Sequence, residues 1–221
     1  MEKVTVLGAG SWGTALSMVL AENGHDTLLW TNRAEQAREI NEQHTNSQYI
    51  NNIKLPENLK ATTDLSVAAN HGDTLVVAVP TKAIREVCSN LNDVLQKEKL
   101  FVHVSKGIEP DTLLRISEFM KETLKPELLS NLVVLSGPSH AEEVVLQHPT
   151  TVSAACENLQ AAEKVQDLFM NHYFRVYTND DVLSVELGGA LKNVIALAAG
   201  IIDGLQYGDN AKAAPITRGL A

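Results

Sequence analysis

Surplus basic charge is what this chain most lacks. Among 221 residues, Lys and Arg number 18 against 27 Asp and Glu, for a formal net charge of −9 and a pI near 5.2. General nucleic-acid binding relies on excess Lys and Arg, so the balance counts against it. A few local cations can still hold a small anion. Cysteine is scarce: Cys88 and Cys156 are too few for a disulfide framework, and no Cys/His cluster has metal-ligand spacing. Neither a metal nor an oxidising compartment is expected. Long apolar runs are missing too. The stretch from Val194 to Ile202 is far too short to span a bilayer, so no membrane insertion is expected. Met1-Glu2-Lys3 leads straight into an apolar segment that soon meets glycines, unlike a secretion signal. The expected location is cytoplasmic.

What is present is ordinary for a globular protein: 44% hydrophobic and 20% charged residues, near the average composition. The length allows one domain, or one and part of a second. Short apolar runs alternate with amphipathic segments. Strands are expected at Val4–Leu7, Thr27–Trp30, Thr74–Val79, Leu100–Val104, Leu132–Leu135, Thr151–Ala155 and near Tyr173–Tyr177. Helices are expected at Thr14–Asn23, Ala34–Gln43, Lys82 to about Gln96, Asp111 (as cap) to about Thr123, and 158–170. Residues 45–58, rich in Asn, read as a long loop. This alternation predicts an α/β fold, a doubly wound and mostly parallel sheet with helices on both faces. From Asp181 to Ile202 the pattern becomes one long helix, apolar around much of its circumference and so expected to be buried on most sides. The domain boundary is placed near residue 180. Residues 1–180 form the sheet domain, and residues 181–221 start an all-α segment too short for its own core.

Gly8-Ala9-Gly10-Ser11-Trp12-Gly13 lies between the first strand and the first helix and fits G-x-G-x-x-G. Gly8 permits a tight turn, Gly10 lets a pyrophosphate approach the backbone, and Gly13 lets helix and strand pack closely. The helix N-terminus offers N–H groups and partial positive charge to the phosphates. The alternative is a glycine-rich turn without a ligand. An NAD site usually carries an acidic residue at the end of the second strand. Here that strand ends Trp30-Thr31-Asn32-Arg33. A guanidinium can bind a 2′-phosphate in a bidentate manner, so NADP(H) is the expected cofactor. If Arg33 is merely a solvated charge, NAD(H) serves as well.

Two further strand ends stand out. Lys106 follows one strand, with Gly107 behind it. Ser136-Gly137-Pro138-Ser139-His140-Ala141-Glu142 follows another, and Ser139 with Glu142 fits a capping box. In the long helix, Gly188 and Gly189 precede Lys192 on one face. They would let a flat body such as a nicotinamide ring lie there, or simply allow a helix crossing. A lysine buried in such a helix would have a lowered pKa and exchange protons near neutrality, or it could snorkel to water. Tyr49 could touch a nucleotide or anchor its loop. None of the seven histidines has ligand spacing, and no catalytic histidine is assigned.

Taken in order, these blocks resemble a known family. They include Gly8 to Leu16, Ser105-Lys106-Gly107-Ile108-Glu109, Ser136 to Glu143, Leu187-Gly188-Gly189-Ala190-Leu191-Lys192-Asn193-Val194, Ala199 to Leu205, Asn210 to Ala214 and Thr217-Arg218-Gly219-Leu220. The family is the bacterial NAD(P)-dependent glycerol-3-phosphate dehydrogenases, and the resemblance runs through the whole chain. It implies a Rossmann-type fold and hydride transfer between NAD(P)H and dihydroxyacetone phosphate, giving sn-glycerol 3-phosphate for phospholipid synthesis. It implies Lys192 as proton donor and acceptor, and Lys106, Gly137 and Ser139 in the substrate site, with Lys106 also approaching the cofactor. Ser11, Trp12, Arg33, Tyr49 and Ala141 become cofactor contacts. A cationic Lys106 nearby would depress the pKa of Lys192. Family members continue beyond Ala221 in a helical domain carrying an Asp for the reacting centre and an Arg-Asn pair for the substrate phosphate. The resemblance therefore implies a chain shortened there, with Pro215 where an apolar helix former is expected. The alternatives are a non-catalytic NAD(P)-binding fragment and another ketoacid reductase of the same architecture. A homodimer is left open.

Overall fold

A computed structural model describes residues 1–219; Leu220, the last residue of the Thr217–Leu220 block, and Ala221 lie outside the described residues. The described chain begins β1 (Lys3–Leu7), α1 (Ser11–Glu22), β2 (Asp26–Trp30), α2 (Ala34–Gln43), β3 (Lys60–Thr62), α3 (Leu65–His71), β4 (Thr74–Val77) and α4 (Thr81–Val94). It continues with β5 (Lys99–His103), α5 (Ile116–Thr123), β6 (Leu129–Ser136), α6 (Ala141–Val145), β7 (Thr150–Ala155), α7 (Leu159–Phe169) and β8 (Phe174–Asn179). Two helices close it, α8 (Val182–Gly204) and α9 (Asp209–Gly219).

The strands form one sheet in the order β3-β2-β1-β4-β5-β6-β7-β8. Every neighbouring pair is parallel except β6 with β7. A parallel sheet must be covered on both faces, and it is. One core packs α1, α6 and α7 through residues such as Leu16, Val144 and Phe169. The other packs α3, α4 and α5 through Ala68, Ile84 and Phe119. Strand residues alternate between the two: Val76 and Val102 face the first core, Val77 and Phe101 the second. Cys156 lies in the first core and Cys88 in the second, so the sheet separates the two thiols. Burial pushes the Cys88 thiol up to about 12.

Four expectations need correction. Asp111 does not cap α5. That helix starts at Ile116, with Arg115 as its cap and Glu118 returning a bond to the Arg115 N–H. Residues 108–115 fold instead into a closed turn, bridged between Ile108 and Arg115 and passing through Leu113 at φ 59°. Ser139 and Glu142 form no capping box: α6 begins after His140, and no side chain caps it. The elements β3 and α3 escape the periodicity because three and seven residues are too short to show it.

The fourth correction concerns α8. Its start is as expected, with the Asp181 carboxylate accepting from the Ser184 N–H at 3.0 Å. It is not buried on most sides. Glu186 is its one buried residue, whereas Val194 is 65% and Leu197 66% exposed. An apolar circumference requires neighbours on several sides. Among the described residues, α9 and the strands β6 and β7 are its main neighbours. By length and composition α8 could also cross a membrane, a possibility the shorter run from Val194 does not reveal. Against that, Glu186, Lys192 and Asp203 interrupt it, and Glu186 is tied to the sheet domain. Pro215 lies inside α9, where it removes one helical N–H donor.

Candidate active site

In an open α/β sheet, ligands gather beyond the carboxyl ends of the strands where the strand order reverses. Here β1 is flanked by β2 and β4, which puts the switch point at Gly8. A cleft of about 840 Å³ opens there. It brings together Gly8, Gly10, Ser11 and Trp12 from the first turn, and Arg33 and Tyr49 from beyond β2. Lys106, Ser139 and Ala141 line it from beyond β5 and β6.

The three glycines have distinct surroundings. Gly8 adopts φ +114°, and a Cβ there would meet the Ala78 carbonyl oxygen at 2.7 Å. A Cβ on Gly13 would overlap the Gly8 carbonyl oxygen. A Cβ on Gly10 would meet nothing within 4 Å, so backbone is open to the cleft there. No side chain caps α1, leaving its first N–H groups to whatever fills the cleft. The Trp12 indole N–H is buried and unpartnered, an uncommon condition for a buried donor. An uncapped helix start behind an open glycine cradle fits a dinucleotide's phosphates.

Around this cradle lies a buried polar network that the sequence did not reveal. Gln36 Nε2 donates to the Ala9 carbonyl at 2.7 Å and to Asn46 Oδ1 at 3.0 Å. Asn46 Nδ2 donates to the same carbonyl at 3.0 Å and to Thr14 Oγ1 at 2.7 Å. The loop beyond α2 carries two further contacts. Ser11 Oγ donates to the Tyr49 carbonyl at 3.1 Å, and the exposed Arg33 guanidinium donates to Gln48 Oε1.

At the other end, Gly107 turns at φ +139° and Lys106 reaches across to the β6 end. Its ammonium donates to the Gly137 carbonyl at 2.9 Å and to Ser139 Oγ at 3.3 Å. Burial first, then the charge of Lys192, holds Lys106 below the ordinary lysine range. Gly137 is outside the cleft lining; its missing side chain makes room for β7, since a Cβ would meet the Thr151 carbonyl oxygen at 2.9 Å. Lys192 does not line the cleft either. It is exposed, and its ammonium donates to Asn193 Oδ1 at 3.1 Å, so the argument from burial fails for it. The two helix glycines divide the roles considered for them. Gly189 packs on the sheet, 2.7 Å from Ser136 Oγ at its Cβ position, while Gly188 faces open space.

Sequence reasoning also missed what anchors α8. The buried Glu186 carboxylate accepts from Arg115 Nη1 at 2.7 Å, the Ser117 N–H at 2.8 Å and Ser117 Oγ at 2.5 Å. The buried His103 ring lies 3.1 Å away. Burial alone would raise this carboxyl, but contacts with His103 and Ser117 outweigh it and hold the group at about 2.

Fold and cleft together define a doubly wound α/β protein of the Rossmann type, with an open cleft at its switch point. Comparison with known proteins narrows the class. Residues 3–162 match the model described as the N-terminus of NAD-dependent glycerol-3-phosphate dehydrogenase, and residues 181–221 match the corresponding C-terminus. The chain belongs to that family. All of it aligns, at 73% identity, with 65% of glycerol-3-phosphate dehydrogenase [NAD(P)+] from Lysinibacillus sphaericus. The Bacillus subtilis relative of the same name is 61% identical, again over the whole chain and 64% of the relative. A crystal structure of glycerol-3-phosphate dehydrogenase from Coxiella burnetii superimposes with a TM-score of 0.87 at 37% identity, covering 99% of this chain and 66% of that one. The chain therefore spans about two thirds of the length of these relatives.

Proposed function

We propose that the chain binds NADP(H) in this cleft and supplies the cofactor and proton-transfer residues of a glycerol-3-phosphate dehydrogenase. The reaction is reversible hydride transfer between NAD(P)H and dihydroxyacetone phosphate, giving sn-glycerol 3-phosphate for phospholipid synthesis in the cytoplasm. One observation carries the reading. A single cleft at the switch point joins an uncapped glycine cradle to Arg33 at one end and Lys106 with Ser139 at the other. Phosphate and substrate would sit at opposite ends of one bound dinucleotide.

The backbone N–H groups of the α1 start hold the pyrophosphate, with Gly8, Gly10 and Gly13 shaping the turn. Trp12, Tyr49 and Ala141 line the dinucleotide, and Arg33 meets the 2′-phosphate, with NAD(H) accepted more weakly. When bound there, NADPH would supply the hydride that reduces the substrate carbonyl carbon. Lys192 gives a proton to the carbonyl oxygen as that carbon is reduced, and takes the proton back in oxidation. Lys106, fixed by the Gly137 carbonyl and Ser139 hydroxyl, orients the substrate with its positive charge. Residues 1–180 are the dinucleotide-binding domain and residues 181–221 begin the substrate domain. A homodimer is compatible with this division.

A second reading is favoured by one observation, the exposure of Lys192 outside the cleft. In that reading the chain binds the dinucleotide without turnover. The two are separated by following reduced-nicotinamide absorbance with the purified chain, NADPH and dihydroxyacetone phosphate, alongside a binding titration. Turnover that Lys192→Ala abolishes supports the first. Binding without turnover supports the second, and absence of NADPH binding defeats both.

A further inference from the structure

The Gln36–Asn46 network converges on one atom, the Ala9 carbonyl oxygen, which accepts from both amides. Each amide is otherwise fully engaged. Gln36 Oε1 accepts from Thr31 Oγ1 at 2.5 Å, Asn46 Oδ1 accepts from Gln36, and Asn46 also donates to Thr14 Oγ1. Asn46 is itself held by its loop, its carbonyl accepting from the N–H groups of Tyr49 at 3.0 Å and Ile50 at 2.8 Å. Gln36 is 6% and Asn46 1% exposed. A fully satisfied buried network of this kind is rigid.

The consequence lies across the peptide bond. A trans peptide is planar, and its N–H points opposite to its C=O. Drawing the Ala9 carbonyl inward toward α2 turns the Gly10 N–H outward, at the residue whose Cβ position is open to the cleft. Free to rotate, that peptide could instead present its carbonyl to the cleft, where it would repel a phosphate. We propose that Gln36 and Asn46 are positioning residues: they lock the Ala9–Gly10 peptide in the orientation that donates to a dinucleotide pyrophosphate. Asn46 lies outside the cleft lining, and Gln36, which does line the cleft, spends its amide on Thr31, Asn46 and the Ala9 carbonyl, so both act through that peptide. The inference rests on the dinucleotide reading above and adds to it the residues that preorganise the cradle.

The test uses the full chain labelled with nitrogen-15 and titrated with NADPH. In the unmodified chain, NADPH binding moves the Gly10 amide proton downfield, as a new bond to phosphate oxygen requires. Gln36→Met and Asn46→Ala each weaken NADPH binding about tenfold, the scale of one well-placed hydrogen bond to a charged group, and shrink the Gly10 response. Combined, they lose less than the product of the two factors, because both act through one carbonyl. A purely structural network would lower the melting temperature and leave both the dissociation constant and the Gly10 signal of the folded protein unchanged. A folded Gln36→Met chain binding NADPH within twofold of the original overturns the proposal. So does an unmodified chain whose Gly10 amide stays put while NADPH binds, a readout that stands even if Asn46→Ala does not fold. An unmodified chain that binds no NADPH is a different result, since it removes the dinucleotide reading itself and the proposal with it.

Discussion

At the residue scale, two glycines three positions apart, Gly10 and Gly13, do different work, and substitution separates them. At Gly13 a methyl group meets backbone, the Gly8 carbonyl oxygen, which cannot swing aside. Gly13→Ala is expected to lower unfolding free energy in urea by about 2–3 kcal/mol, the cost of overpacking a tight contact. At Gly10 a methyl group enters open cleft, and φ −71° suits any residue. Gly10→Ala should unfold at nearly the original urea concentration yet bind NADPH about tenfold more weakly. Arg33 is the third test at this scale. Arg33→Ala is expected to weaken NADPH about tenfold, through the lost guanidinium–phosphate pair, and to leave NADH binding unchanged. Equal losses for the two nucleotides would count against a 2′-phosphate role.

At the element scale, α8 is docked through its first two turns. Glu186 is the fastening point, and its contacts join α8 to the start of α5 and the end of β5. Its carboxyl is depressed in the folded protein, to about 2 from 4.5. The unfolded chain therefore binds more protons between these values, and stability rises with pH across them. The contribution is complete above about pH 4.5 and is lost as pH falls toward 2. Glu109 is also held at about 2, by the Arg85 guanidinium, so the unmodified chain loses stability from more than one source. Glu186→Gln should flatten the fall in melting temperature over this interval relative to the original, and an unchanged slope would remove Glu186 from the account. The helix glycines give a second contrast. Gly188→Ala adds a methyl group to open space and should stabilise α8 by up to about 1 kcal/mol. Gly189→Ala drives a methyl group against Ser136 and should destabilise it, as read by the urea midpoint.

At the scale of the whole molecule, the sheet domain is closed on both faces while α8 presents an apolar stripe. Leu191, Val194, Leu197, Ile201 and Leu205 are each at least half exposed. A contiguous patch of this kind binds apolar surfaces and dyes. The chain is expected to enhance the fluorescence of anilinonaphthalene sulfonate, and Leu197→Glu with Ile201→Glu should remove most of the enhancement without shifting the unfolding of the sheet domain. Persistence of the signal in the double variant would place the dye site elsewhere.

The amino-acid sequence by itself determined the α/β alternation, the glycine turn at the switch point and the helical change near residue 180, because each is written in neighbouring residues. The run Thr74–Val77, three apolar residues after a threonine, is buried at every position, as a strand covered on both sides must be, and α2 falls at Ala34–Gln43 as its periodicity predicts. The family was legible from its blocks. Only tertiary structure decided which partners the polar side chains take. Asn46 reads as one of several loop asparagines until α1 and α2 close over it. His103 and Glu186 are 83 positions apart, yet only packing brings them to 3.1 Å. Ser139 reads as a cap, but the competing partner is Lys106, from another strand end. Burial of α8 failed as an expectation for the same reason. Periodicity states which face wants cover, whereas cover itself depends on what stands opposite, and that is a property of the assembled chain.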